Sequence, residues 1–402
     1  MNIGTVIPWF PSPSVEGSFH GNFQHRQSKQ LVEMGHKVVV MSIQRPGMPK
    51  FETIDGILVY RLPSYTIRSI RYDVPNFVRL TQFIFDICKS HGLSLLEFFS
   101  SDFLTSIPAI YIKRKIDLPT VVVINGLPGI SWFSGNWVID RLGWIYTNLI
   151  GKRIMKSADG LRLLQNSLYD DLPKFGIDRN KMKTIHQGVD INIFYPRHDN
   201  SVRAGLGLSE EDFVVLYVGR LVKPAEMKGT RYLIEAAKEL IPEYSNLKLV
   251  FVGDGDGRTQ NEEWARPIKS NVVFAGYRQD VYNCMSAANV LVLPSLSEGC
   301  PVVVLEAGAC GIPVIASRVG AVPELIDDGR TGIIIRSRSV SEIRQALVQL
   351  MQEPSLGQDM GEQARARIGK EFTWDVICKK LEGFYQEVIS KCEQKNKARK
   401  QK

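Results

Sequence analysis

At 402 residues the chain exceeds what one hydrophobic core usually serves and suits two domains of roughly 200 residues each. A hydrophobic content of 44% and a charged content of 23% are ordinary for a soluble globular protein, and no apolar run approaches the roughly 18 residues that a membrane span needs. The net charge of +8 comes without a nucleic-acid recognition motif or interleaved stacking aromatics, so an anionic ligand or an anionic membrane surface fits it better than nucleic acid.

The start, MNIGTVIPWF, has no basic opening and no long apolar stretch, and reads as a first strand, not as a leader. Strands are predicted at Asn2–Pro8, Lys37–Ile43, Leu93–Phe98, Thr120–Asn125, Gly160–Leu164 and Met182–His186, with helices such as Gly21–Met34 and Phe103–Lys115 between them. Tyr65–Leu80 mixes Arg68, Arg71 and Arg79 with Ile67, Ile70, Tyr72, Val74, Phe77 and Val78, which suits either an interfacial element or a partly buried loop and helix. Further basic residues stand at Lys152, Arg153 and Lys156. A break is placed at Tyr195–Ser209, where Pro, Asp, Asn, Gly and Ser interrupt any period. Beyond it FVVLYVG, LKLVFVG, NVVFAG, NVLVLPS, IPVIAS and TGIIIR are each followed by a helical pattern. Near-continuous apolar strands alternating with helices imply parallel sheets covered on both faces, here two doubly wound α/β domains. The last helix is predicted over Trp374–Cys392, with Ile377, Leu381, Phe384 and Val388 on one stripe, crossing back to the first domain. The expected domains are 1–197 with 374–392, and 205–372, leaving 393–402 as a solvated basic tail. The six cysteines show no C-x-x-C pair and no zinc spacing, and read as thiols in a reducing compartment.

Ligands of open α/β sheets bind beyond the carboxyl ends of the strands, so the loops there carry the chemistry. Glu298 and Glu306 lie in SEGCPVVVLEAGACGIPVIAS, one just before a helix and the other inside it. Between them a helix N-terminus offers free N–H groups and a positive dipole end to a phosphate. Arg220 and Lys228 stand at the two ends of one loop on the same rim and make a diphosphate clamp. Two acids, two cations and a helix start match a sugar nucleotide, with its sugar hydroxyls, diphosphate and ribose. GDGDG, Gly253 to Gly257, reads as a turn that lets backbone approach a ligand. Its Asp254 and Asp256 are too few for a metal cage, so no metal site is expected.

The ordered set of Gly35-His36, Gly188-Val189-Asp190, Gly219-Arg220, Lys228-Gly229, Gly253-Asp254-Gly255, Pro294-Ser295 and E-x7-E at Glu298–Glu306 resembles glycosyltransferase family 4 over almost the whole chain. The resemblance implies the GT-B fold, two doubly wound domains facing a cleft, and retaining, metal-independent transfer from a nucleoside diphosphate sugar. The donor, a substrate and not a cofactor, is expected to be a UDP-sugar ahead of a GDP-sugar, and no cofactor is implied. By position, Arg220 and Lys228 hold the diphosphate, Glu298 serves the donor sugar and the charge developing at its anomeric carbon, and Glu306 the ribose. Gly17, Gly253, Tyr277, Arg278, Gly299, Cys300, Val303 and Val304 complete the donor site. Asn125, His20 and His186 are placed on the acceptor and sugar side. The acceptor is a saccharide or a lipid-linked one, reached in the cytoplasm or at the inner membrane face.

Three departures from the family pattern bear on this. Asn125-Gly126 stands where His-Gly is frequent, and Asn has no proton to shuttle near neutral pH. Arg220 and Lys228 are two residues further apart than usual, which makes Lys223 a rival for the diphosphate. Cys300-Pro301 replaces the usual second half of the EGFG segment, and Pro301 has no N–H to give. They keep two alternatives open, a non-catalytic sugar-nucleotide-binding partner and a sugar-nucleotide 2-epimerase on the same fold.

Overall fold

The computed structural model describes residues 1–15, 22–63, 65–67, 72–74, 77–100, 104–197, 200–223 and 225–400. They form two compact α/β units, one of 1–130, 141–187 and 374–402, the other of 131–140 and 188–373.

The first unit is built on an eight-stranded sheet. In spatial order its strands are Met182–Thr184, Gly160–Leu163, Thr120–Ile124, Leu95–Phe98, Asn2–Val6, Lys37–Gln44, Ile57–Pro63 and Phe51–Ile54. All neighbours run parallel except the last pair. That antiparallel pair is a hairpin closed by Asp55 (φ 47) and Gly56 (φ 78), the left-handed pair that a two-residue hairpin turn requires. The sheet switches direction between Asn2–Val6 and Leu95–Phe98, where the chain leaves one side and resumes on the other.

Helix Trp374–Lys400 returns from the end of the chain to pack on helix Phe23–Glu33 within this unit. Its stripe of Ile377, Leu381, Phe384 and Val388 is buried. The predicted tail at 393–402 is helical as far as Lys400, because KCEQKNKARK contains no Gly or Pro and consists largely of good helix formers. Beneath the two helices Tyr385 Oη donates to Glu97 Oε1 at 2.7 Å and Gln27 Nε2 to Glu97 Oε2 at 3.2 Å. Arg162 donates to Gln27 Oε1 at 2.6 Å and to the carbonyls of Ile185 and His186. Each of these buried polar groups is thereby hydrogen-bonded, which is the condition for burying them.

The second unit has a six-stranded parallel sheet in the order Val272–Gly276, Leu247–Val252, Phe213–Val218, Val290–Leu293, Val314–Ser317, Gly332–Ile335. Successive residues of a strand face opposite sides, and both sides are apolar: Val214 and Leu216 enter one core, Val215 and Tyr217 the other. The switch point falls between Phe213–Val218 and Val290–Leu293, the position where doubly wound sheets open a ligand crevice. The segment read as period-free, Tyr195–Ser209, carries one short helix, Asn200–Gly205.

Candidate active site

Two loops leave the second sheet at its switch point. The first follows Phe213–Val218 and ends in a tight turn, Ala225–Lys228, before helix Thr230–Leu240. The second follows Val290–Leu293 and reaches Glu298. Gly229 joins turn to helix at φ +66, and a Cβ there would stand 1.8 Å from the Pro294 carbonyl oxygen. Only glycine lets the two loops come this close. A hydrogen bond from Leu296 N to Met227 O, 3.0 Å, ties them further.

The tie brings Lys228 Nζ to 2.7 Å from Glu298 Oε1, both side chains being largely shielded from solvent. Of the two rival lysines, Lys228 is therefore the one beside Glu298. Lys223 is exposed, and its backbone N–H donates to Asp256 Oδ1 at 3.1 Å. Arg220 is exposed, with no ion-pair partner among the described residues. Its carbonyl accepts a hydrogen bond from the buried Tyr217 hydroxyl at 3.3 Å. Burial, reinforced by the Glu298 carboxylate, raises that hydroxyl's pKa well above the usual tyrosine range, so it stays a donor.

Pro301 is the N-cap of helix Val302–Ala309. Val304 N donates to Pro301 O at 3.1 Å, whereas the N–H groups of Val302 and Val303 find no acceptor among the described residues. The helix start thus offers Val303 but not Val304 as an anion donor. Glu306, a turn and more inside, is half-buried, and its carboxyl has no hydrogen-bond partner among the described residues. Removal from water pushes its pKa up to about 7. Cys300 and Cys310 pack into the apolar core, and burial pushes the Cys310 thiol up to about 12, which leaves it inert.

The other residues expected on the donor side follow the neighbouring strands Leu247–Val252 and Val272–Gly276. Gly253 N donates to Gly276 O at 2.8 Å, which leads the chain to Tyr277, 62% exposed. Arg278 is committed to Asp280 by two bonds of 2.9 and 2.6 Å, and the guanidinium holds the Asp280 carboxyl below the usual range. Asp254 accepts from Gly255 N at 2.7 Å, so both acids of GDGDG serve the turn. No group of three metal-ligating side chains occurs among the described residues.

Two contributors escaped the sequence reading. Gly320, at φ +54, lies under the Glu298 loop, where a Cβ would stand 2.4 Å from the carbonyl oxygens of both Glu298 and Gly299. Its one signal was a glycine after a strand and ahead of a Pro-opened helix. Thr230 is buried and its hydroxyl lacks a partner among the described residues, as does that of buried Ser295, which the Pro294-Ser295 motif had already singled out. On the acceptor side, Asn125 and His186 belong to the first unit, at the ends of its strands Thr120–Ile124 and Met182–Thr184. His25 is held by Asp55 at 2.9 Å, and burial keeps its pKa below the usual range. Gly17 and His20 lie outside the described residues.

Comparison with known proteins bears on the family and the fold. The model of Glycosyltransferase Family 4 matches residues 21–193, and that of Glycosyl transferases group 1 matches residues 212–353. N-acetyl-alpha-D-glucosaminyl L-malate synthase of Bacillus anthracis is 24% identical over 382 residues, covering 94% of this chain and 95% of that one. The sucrose-phosphate synthase structure from Thermosynechococcus elongatus superimposes with a TM-score of 0.78 at 21% identity, covering 97% and 99% of the two chains. Anabaena HepE, solved with UDP-glucose, does so with a TM-score of 0.73 at 18% identity, covering 97% and 100%. The two parallel-sheet units are those of the GT-B fold, and the chain is a member of glycosyltransferase family 4.

Proposed function

We propose that the chain is a retaining, metal-independent transferase that moves a sugar from a nucleoside diphosphate sugar to an acceptor hydroxyl, in the synthesis of a polysaccharide, glycolipid or other surface glycan. The observation that carries this is the Lys228–Glu298 pair at the switch point, beside a helix start with unspent N–H groups. In this pair the two charges neutralise each other. A diphosphate that draws Lys228 away, with Arg220 as second cation, leaves the carboxylate free to face the sugar. Positive charge develops at the anomeric carbon as its bond to the diphosphate oxygen breaks and the bond to the acceptor oxygen forms on the same face. Glu298 stabilises that carbon, Lys228, Arg220 and the helix N-terminus stabilise the departing diphosphate, and the acceptor proton leaves on it. These groups supply the positive charge that a metal would otherwise bring.

Glu306 takes the ribose hydroxyls, which are the donors its carboxyl lacks. Uridine is proposed as the base, in keeping with the UDP-glucose bound by HepE. The first unit serves the acceptor, with Asn125 and His186 as its candidates. The acceptor is a saccharide or a lipid-linked one, worked on at the cytoplasmic face of an anionic membrane. No described helix is long and apolar enough to cross that membrane.

Thermal shift against uridine, guanosine and adenosine diphosphate sugars tests the donor, followed by nucleotide release with the one that binds. One of them is expected to raise the melting temperature, with EDTA leaving turnover intact. Glu298→Ala is expected to abolish transfer while donor binding persists. Absence of stabilisation by every sugar nucleotide overturns the reading, and so does wild-type turnover in Glu298→Ala.

A further inference from the structure

Residues 137–157 form one helical run: Trp137–Tyr146, a wide turn at Thr147–Gly151, and Lys152–Ser157. It is amphipathic in the wrong sense for a core helix. Along 137–149 the residues turned toward the protein are small or polar; past it Ile150 packs on the core and Ile154 and Met155 are buried in it. Thr147 Oγ1 donates to the Pro128 carbonyl at 3.1 Å, a Cβ on Gly143 would touch Pro128, and Thr147 and Gly151 are buried. Over 137–149 the large aliphatic residues face solvent. Val138, Leu142, Ile145 and Leu149, spaced by four, three and four, make one exposed stripe, with Leu142 at 61% and Leu149 at 55%. Trp137, 79% exposed, and Trp144 flank it, and Trp132 and Phe133 are exposed just upstream. No residue of Trp137–Tyr146 is buried.

Charge on this run is mainly positive. The same spacing of four and three continues the stripe from Leu149 to Arg153 and Lys156, with Lys152 beside them and Arg141 stacked on Trp144 at 4.7 Å. The only acid between 131 and 157 is Asp140, which accepts from Ser134 N and Ser134 Oγ at 2.6 and 2.8 Å. An apolar face rimmed by tryptophans and ending in uncompensated cations complements an anionic bilayer surface: acyl chains accept the stripe, tryptophans suit the interfacial layer, and headgroups pair with the cations. A second copy of the chain would set the same cations against each other and offers from this run only Asp140, which is held by Ser134.

We infer that 137–157 is a monotopic docking helix that lays Val138, Leu142, Ile145 and Leu149 into the interface of an anionic membrane. The inference deepens the membrane-face reading proposed above and rests on it.

The test is cosedimentation of the full-length chain with vesicles of phosphatidylglycerol and phosphatidylcholine, against vesicles of phosphatidylcholine alone. Wild type is expected to bind the anionic vesicles and to release at high salt. Val138→Ser, Leu142→Ser, Ile145→Ser and Leu149→Ser combined are expected to weaken binding by at least about tenfold. Lys152→Gln, Arg153→Gln and Lys156→Gln combined are expected to do the same by removing headgroup attraction. All seven substituted side chains are at least partly exposed, so the melting temperature and the nucleotide-induced shift are expected to stay at wild-type values, which separates lost docking from lost folding. Wild type that ignores anionic vesicles overturns both this inference and the membrane-face reading. Wild type that binds while both variants bind equally well overturns the docking helix alone and leaves that reading standing. A wild-type oligomer that the serine variant converts to monomer, with vesicle binding unchanged, makes a second copy the occupant and overturns the inference.

Discussion

Glu306 shows how burial alone sets the protonation of a single side chain. Its carboxyl is removed from water without gaining a hydrogen bond among the described residues, which pushes its pKa up to about 7. The folded state therefore binds a proton more tightly than the unfolded state does. The associated stability is fully present below the ordinary value of 4.5 and is lost as pH rises through about 7. Wild type is expected to lose thermal stability across that window, and Glu306→Gln to show a flatter profile; identical slopes would contradict the assignment. Ribose hydroxyls that donate to the carboxylate favour its ionised form, so donor binding has the opposite sense. One unit below its pKa only about a tenth of the carboxyl is ionised. Calorimetric titration of the nucleotide should show affinity falling severalfold from about pH 8 to about pH 6, and Glu306→Gln should be weaker but flat. The residues of this site were unequally legible. Glu298 and Lys228 are chemical types at strand ends, readable from the loops alone. Gly320 acts through the closeness of backbone from a distant segment, which no local pattern carries.

Among the elements, the returning helix is held by a polar network as much as by its apolar stripe. Arg162 sits between Glu97, Gln27 and two carbonyls in a region closed to water. Arg162→Met would leave the buried Glu97 without its nearest cation and strip donors from three oxygens. Loss of one partner of a buried ion pair typically costs about 3–5 kcal/mol. Denaturant unfolding should report a loss of that order, and Glu97→Gln in the same background should recover part of it through their coupling. An additive double variant would mean that the pair, 4.0 Å apart, does not interact. Legibility of the elements follows the same logic. Buried parallel strands are continuous apolar runs and were readable at every predicted position. Phe51–Ile54 and Ile57–Pro63 were not read, although Asp55-Gly56 between two apolar runs is the hairpin signal. Helix Trp137–Tyr146 was not read either, because the pattern that marks a helix assumes its apolar face is turned inward, and here that face is exposed.

At the level of the whole molecule, chain order and structural order disagree. The first unit is complete only when residues 374–402, which follow the entire second unit, are added to it. Ile377, Cys378, Leu381 and Tyr385 on that last helix are fully buried, with Phe384 and Val388 nearly so. Burying each large apolar side chain contributes about 1.5–3 kcal/mol, so the helix accounts for on the order of 10 kcal/mol. That matches the total stability of a typical domain. A chain ending at Thr373 should therefore lose the first unit and keep the second, whose two cores contain none of these residues. Calorimetry of the truncated chain is expected to show a single transition that a nucleotide ligand still raises. Limited proteolysis should degrade 1–130 and spare 188–373. A truncated chain with an intact first unit would show that the returning helix is an accessory to a core that closes without it. Loss of both units would show that the second depends on the first, against their separate hydrophobic clusters.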